Sequence, residues 1–229
     1  RACVVLPEIV IVPGRQHRAR RAQQGKAWIG IQLRVLRAQD IHVGGIAVDV
    51  VADHQEDFRP LLVDHVEDRH RLVLLDAGAE VDCYASDVTR TFPVNGKYTH
   101  EQKTVYEIVL AAQQAAIEKS VSGNHWNEPH DAAVKVLVGG LLDIGLLKGE
   151  LNELIETEQY KRFYMHRSGH WLGMDVHDVG DYKVEGEWRA LEPGMTFTAE
   201  PGLYIPAAPD VDPRWHNIGI RIEDNVLIQ

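Results

Sequence analysis

Four carboxylates interrupt segments that otherwise have the apolar character of buried β-strands, and no other feature constrains this chain as much. Asp76 follows "LVLL", Asp87 opens "VTRTF", Glu200 interrupts "TFTAEPGLYI" and Glu223 interrupts "IGIRIEDNVLI". A carboxylate in a buried strand is costly unless it is hydrogen-bonded or meets a cation. Carboxylates that converge also repel and shift one another's pKa. Asp76 and Asp87 stand eleven residues apart at the edges of successive strand-like stretches, which raises the question of what cation they share. A fifth segment, "MHRSGHWLGMDVHDVG", adds His166, His170 and His177. Each residue alone has an ordinary reading: a strand-end Asp, an exposed-face Glu, a core His. All five segments in one domain weaken that reading. A dinuclear divalent site relieves both the burial and the repulsion, and an oxygen-rich shell with one imidazole suits Mn2+ or a similar ion.

The pattern between these segments predicts an α+β domain. "RLVLLDAG" reads as a short buried strand ending in a turn, and "DVTRTFPV" alternates as a second strand. "NGK" at 95–97 is a turn signal. Thr99 and Gln102 have the spacing of a capping box, and Val105, Ile108, Val109, Ala112 and Ala116 then share a helical face. "GNHWNEPH" reads as a loop in which Asn127 caps a second helix, with Val134, Leu137, Val138, Leu141 and Leu142 at helical spacing and Gly145 near its end. "RFYMHRSGHWLGMDVHDVG" reads as strand and loop, while "GMTFTAEPGLYI" and "IGIRIEDNVLIQ" each read as one strand. Strands around two long helices give a sheet packed on helices.

Composition breaks near residue 72. The first 82 residues contain no Ser, Thr, Asn, Tyr or Met, although turns and helix caps draw on Ser, Thr and Asn. Arg far outnumbers Lys there, and Lys26 stands alone. The expected organisation is an anomalous segment, 1–71, either genuinely Arg-rich or, as the favoured reading, the product of a wrong reading frame or strand, joined to a C-terminal domain, 72–229. The absence of an initiating Met points to a fragment. With 229 residues and 45% hydrophobic content the chain can bury a sizeable core. Its net charge of −10 argues against a nucleic-acid partner, and the basic "HRARR" at His17–Arg21 lies inside the anomalous segment. Cys3 and Cys83 allow one disulfide but no disulfide framework. No apolar run approaches the roughly 20 residues of a membrane span, and the basic cluster follows the first apolar stretch, the reverse of a signal peptide. The expectation is a soluble, cytoplasmic protein with no membrane partner.

"DAG…YASDVTRTFPVNG", "YMHRSGHWLGMDVHDVG", "LEPGMTFTAEPGLYI" and "GIGIRIEDN" come in the order of the signatures of the aminopeptidase P family, and residues 72–229 resemble those Xaa-Pro aminopeptidases of the M24 type. The resemblance implies the pita-bread fold, with its first half incomplete or scrambled here. It implies that Asp76, Asp87, His170, Glu200 and Glu223 are the ligands of two divalent ions, Mn2+ first among the candidates. Asp87 and Glu223 would bridge the ions, Asp76 would complete one shell, and His170 and Glu200 the other. It further implies hydrolysis of the bond between an N-terminal residue and a following proline by a water that the ion pair activates. Glu200 would move the proton to the leaving nitrogen, and His166 and His177 would bind substrate or stabilise the charged intermediate. Arg221, two residues before Glu223, would orient a ligand carboxylate. Asp178 could orient His177, whereas Trp171 reads as core or pocket wall. The implied partners are peptides with proline in second position, and a homo-oligomer is compatible with the resemblance.

The chain departs from that pattern upstream. The family has a substrate-binding His on a strand some seventeen residues before the first ligand Asp, where this chain has Arg59; His54, His65 and His70 lack the matching context. Prolidase and methionine aminopeptidase activities stand as alternatives on the same fold. A catalytically inactive fragment or binding module is the alternative of another class. The creatinase-like branch, without metal ligands, is disfavoured by the ligands present.

Overall fold

The computed structural model describes residues 71–229 and, upstream, the backbone of three strands: β1 (Val4–Val5), β2 (Trp28–Val35) and β3 (Ala47–Val51). Cys3, the His17–Arg21 cluster, Arg59 and His54, His65 and His70 lie outside the described residues.

Strand β4 (Leu72–Val81) does not stop at Asp76 as its "DAG" suggests; it runs ten residues, through Ala77 and Gly78. The glycine serves close approach rather than a turn, since a Cβ on Gly78 would lie 2.1 Å from the Ser86 carbonyl oxygen. The turn comes later, at Asp82 and Cys83, whose φ values of 50° and 70° are both left-handed, and it leads into β5 (Tyr84–Ala85). β4 is the centre of a five-stranded sheet. On one side it pairs antiparallel with β2, from Trp28 opposite Glu80 to Val35 opposite Val73, and β3 lies beyond β2. On the other it pairs with β6 (Val88–Pro93), which puts Asp76 opposite Thr89.

The turn expected at 95–97 is present: Gly96 has φ 73°, and the Lys97 N–H donates to Asn95 Oδ1 at 2.9 Å. Helix α1 (His100–Lys119) then opens on the expected capping box, Gln102 N–H to Thr99 Oγ1 at 3.2 Å and Thr99 N–H to Gln102 Oε1 at 3.0 Å. Asn127 does not cap helix α2 (Asn127–Asp143). Trp126 holds the cap position, already helical, and Asn127 instead donates its side-chain N–H to Asp131 at 2.6 Å. The other end closes as expected at Gly145, φ 76°: its N–H bonds the Leu142 carbonyl and that of Leu146 bonds Leu141. Val105, Val109, Ala112 and Ala116 of α1 pack on Ala133, Val134, Leu137, Val138 and Leu141 of α2, all fully or nearly fully buried. Helix α3 (Leu151–Glu156) and a 3-10 turn (Gln159–Arg162) return the chain towards the sheets.

Residues 163–182 form no named strand; only Trp171 makes an isolated bridge, to Phe197. After the small hairpin of β7 (Lys183–Val184) and β8 (Glu187–Trp188), each segment read as a single strand is divided in two. The first becomes β9 (Thr196–Ala199) and β10 (Gly202–Ile205); the second becomes β11 (Ile218–Arg221) and β12 (Asp224–Leu227). β9 and β12 pair with each other and, through β12, with β1, whereas β10 and β11 pair in a separate ribbon. The chain thus changes sheets twice, once at Glu200–Pro201 and once at Ile222–Glu223. Pro201 cannot donate to a ladder, and the Glu200 N–H leaves it for the Ser168 carbonyl at 2.9 Å. Thr89 and Glu223 then exchange backbone hydrogen bonds of 3.3 and 3.0 Å, joining the β4–β6 sheet to the second break. The α+β class read from the sequence is therefore realised as several short antiparallel sheets, not one, meeting at a seam under the helices.

Leu137 is fully buried between the two long helices. Leu137→Ala is expected to destabilise the chain by about 2–5 kcal/mol, through lost transfer energy and a residual cavity, read as a lower urea midpoint at unchanged slope. Thr99→Ala, losing only the cap, is expected to cost about 1 kcal/mol.

Candidate metal centre

The seam gathers the side chains that the sequence singled out. Asp76 projects from mid-β4, Asp87 precedes β6, and Glu200 and Glu223 occupy the two breaks. His170 comes from the irregular segment, held against β9 by Thr198 N–H to the His170 carbonyl at 3.0 Å and His170 N–H to Thr198 Oγ1 at 3.1 Å. Gly169 permits that approach, because a Cβ there would lie 2.1 Å from the Thr198 carbonyl oxygen. His170 Nε2 stands 3.5 Å from Asp87 Oδ2, 3.4 Å from Glu200 Oε1 and 3.9 Å from Glu223 Oε1. Three sets of ligand atoms lie within 4.8 Å of one another: Asp76, Asp87 and Glu223; His170, Glu200 and Glu223; and Asp87, His170 and His177. Glu223 belongs to the first two sets and Asp87 to the first and third.

The hydrogen bonds around these groups leave their ligand atoms facing inward. The Nδ1–H of His170 donates to the Trp171 carbonyl at 3.0 Å, which fixes the tautomer and presents the Nε2 lone pair to the carboxylates. Glu223 is 1% exposed, and its Oε2 accepts from the Thr89 hydroxyl at 2.5 Å. Its Oε1 is buried and has no hydrogen-bond partner among the described residues. A buried carboxylate oxygen left bare is expensive, and this one points at the shared edge of two ligand sets. Arg221 donates to Asp76 Oδ2 at 2.5 Å, and its Nε lies 3.2 Å from Thr89 Oγ1 and 3.7 Å from Glu223 Oε2. It faces oxygens of two carboxylates, Asp76 and Glu223.

The titration of the centre reflects burial first. Burial, then Glu200 and Asp87, push Glu223 well above the usual carboxylate range. Burial lifts Glu200 to about 7 despite Arg221 and His170. Burial would depress His170, but hydrogen bonding to Asp87 and to the Trp171 carbonyl, with the charge of Glu200, holds it above the ordinary imidazole value. Among the described residues, four carboxylates face one guanidinium, so the set is incomplete in charge. Inward oxygens, one imidazole nitrogen and an orphaned buried oxygen are what a divalent cation satisfies, so the residues present fit metal ions.

The other expected residues are placed differently. His166 lies beside the centre, its Nδ1 3.9 Å from Glu200 Oε2. Its Nδ1–H donates to the Arg167 carbonyl at 2.8 Å, and Nε2 accepts from the Tyr204 hydroxyl at 2.9 Å. Burial depresses it to about 4, so it is neutral near pH 7. His177 is exposed and meets His170 edge-on, ring centroids 4.1 Å apart. Asp178 does not reach out to orient it: its carboxylate accepts from the Met174 and Val179 N–H groups of its own loop. Trp171 is buried in a cluster with Trp126 and Phe197, as expected of core. Thr89, Thr198 and Tyr204 were not singled out. Thr89 stands two residues after Asp87 and Thr198 two before Glu200, so the rule that i and i+2 share a strand face would have found both.

A model of metallopeptidase family M24 matches residues 56–229. The chain belongs to that family, and its sheets and helices are part of the pita-bread fold. It is 52% identical over 157 residues to the Xaa-Pro aminopeptidase of Haemophilus influenzae, an alignment covering 69% of this chain and 36% of the relative. Against the Xaa-Pro aminopeptidase of Escherichia coli it is 47% identical over 157 residues, covering 69% and 35%. Among solved structures, Pseudomonas aeruginosa aminopeptidase PepP superposes with a TM-score of 0.73 at 47% identity, over 90% of this chain and 43% of that one. Escherichia coli aminopeptidase P with the inhibitor Pro-Leu gives 0.70 at 37% identity, over 89% and 42%. The chain spans just over a third of the length of these curated relatives.

Two expectations follow from the electrostatics. Glu200 has a folded pKa, about 7, above its ordinary 4.5, so the folded state binds the proton more tightly and stability falls as pH rises across that interval. The depressed His166 and His130 act oppositely below 6.5, so the comparison that isolates Glu200 is with Glu200→Gln. In chelator-treated protein the stability of Glu200→Gln relative to the parent is expected to increase from pH 4.5 to 7, read by paired thermal melts. Arg221→Met, which strands the facing carboxylates, is expected to cost about 3–5 kcal/mol in chelator and less with a divalent ion bound, read by denaturant titration in both states.

Proposed function

We propose that this chain carries the catalytic part of an Xaa-Pro aminopeptidase, releasing the N-terminal residue from peptides whose second residue is proline. The observation that carries this reading is the convergence of Asp76, Asp87, His170, Glu200 and Glu223, with the bare Glu223 Oε1 at their centre. Asp76, Asp87 and Glu223 would hold one divalent ion and His170, Glu200 and Glu223 the other, with Asp87 near both. Mn2+ is the ion proposed, for its match to carboxylates and one imidazole. When bound, the ions supply Lewis acidity and a nucleophile at neutral pH.

The residues of the chain do the rest. Glu200, beside His170, would pass a proton from the attacking water to the departing proline nitrogen. That nitrogen is a tertiary amide nitrogen with no N–H of its own to be recognised. His166, neutral and steadied by Tyr204, would border the bound substrate. His177, exposed beside His170, would meet substrate. Arg221 holds one oxygen of Asp76 and would orient that carboxylate towards the ion. Residues 1–71 are proposed to be a segment of anomalous composition, and the protein to act in the cytoplasm.

A second reading is an inactive member of the family serving as a binding module. Metal analysis and peptide cleavage on the purified chain separate the two. The expected result is about two divalent ions per chain and cleavage of an Xaa-Pro-Xaa tripeptide. A Met-initiated peptide without proline should resist, and an Xaa-Pro dipeptide should be a poorer substrate; the reverse preferences would indicate a methionine aminopeptidase or a prolidase. Asp87→Asn should lose ions and at least about 100-fold in kcat/KM. A folded chain that binds ions but cleaves none of the three peptides supports the binding module.

A further inference from the structure

The segment that carries His166 and His170 has no strand of its own, and one of its backbone donors is satisfied by a side chain from helix α2. The Ser168 N–H points at Nδ1 of His130, 3.3 Å away, and Ser168 Oγ lies 2.9 Å from the same nitrogen. An N–H can only donate, so this nitrogen is the acceptor and the imidazole carries its proton on Nε2. The Ser168 hydroxyl then donates to His130 and accepts from the Tyr164 hydroxyl at 2.6 Å. Ser168 and Tyr164 are buried, so the chain Tyr164 O–H to Ser168 O–H to His130 has little water to compete with it. Burial, and then the neighbouring charge of Arg167, keep His130 neutral, with a pKa near 4. Ser168 lies midway between His166 and His170, and its carbonyl accepts the Glu200 N–H at 2.9 Å.

We propose that His130 is a positioning residue of the metal centre: by holding the Ser168 amide and hydroxyl it sets where His170, His166 and the Glu200 backbone stand relative to Asp87 and Glu223. The inference rests on the metalloenzyme reading above. It predicts that an α2 residue with no contact to the ligands controls how well they converge. Removing the acceptor leaves a buried N–H unsatisfied, and the segment relaxes away from α2.

The test compares the parent chain with His130→Leu, which fills the space without an acceptor, and His130→Asn, whose Oδ1 restores an acceptor near the position of Nδ1. Mn2+ binding to the chelator-stripped proteins is measured by calorimetry. Exchange of the Ser168 amide is measured by NMR in the ion-free state. His130→Leu should bind Mn2+ about 10–100-fold more weakly, the range typical of groups that support a ligand, and its Ser168 amide should exchange at least about tenfold faster. His130→Asn should recover most of both. If His130→Leu matches the parent in ion affinity and in amide protection, the proposal is wrong. If Leu and Asn lose both equally, His130 acts through packing and the proposal is equally overturned. If His130→Leu does not fold, His130→Asn against Ser168→Ala decides: near-parental values for Asn and weakened binding for Ala support it, and the opposite order overturns it. A parent that binds no Mn2+ removes the metalloenzyme reading and with it the metal-positioning role, whatever the amide exchange shows. A parent that binds while His130→Leu binds equally removes the His130 inference alone.

Discussion

The cost of bringing Asp76, Asp87, Glu200 and Glu223 together away from water governs this structure. Four like charges within a few ångströms, in surroundings of low dielectric, would drive the sheets apart unless protons or cations intervened. The fold answers on the outside of the cluster with Arg221 and Thr89, which take the outward oxygens of Asp76 and Glu223. On the inside, Glu223 Oε1 is buried without a hydrogen-bond partner among the described residues. The seam is the place where strands stop pairing. There a side chain can lean inward without competing with a ladder, and there the polar groups sit.

The helices and caps were legible because their signals are local. Thr99 and Gln102 make both bonds that their spacing announces, and the burial of Val105, Val109, Ala112 and Ala116 follows a 3.6-residue period. Gly145 works for the same reason: a left-handed residue after a helix has a single-residue signature. The ligand set was legible through charge in the wrong surroundings, reinforced by a resemblance whose motifs come in order. What was not legible depended on distant partners. "DAG" reads as a turn until one knows that β2 and β6 flank it and that Ser86 presses on Gly78. "TFTAEPGLYI" reads as one strand because each half alternates correctly; only the pairing of β9 with β12 and of β10 with β11 divides it. Asn127 has the composition of a cap, but Asp131 and Arg167 compete for its side chain.

The upstream strands bear on the segment whose composition stands apart. β2 lies beside β4 along eight residue pairs and places Gln32 opposite Asp76, so the first ligand-bearing strand is flanked on both sides. The family match begins at residue 56, upstream of the compositional break. Membership in the M24 family therefore rests on more than the five ligand positions. Among the described residues no helix is long and apolar enough to cross a membrane.

Glu200 and Glu223 both sit where the polypeptide crosses from one ribbon to the other. Any sliding of the β9–β12 pair over the β10–β11 pair must change the gap between their carboxyl groups. An ion gripped by both would therefore behave as a removable rivet through the two layers, making their relative motion stiff when loaded and easy when empty. Such a metal would then also govern how readily a protease can prise this seam open.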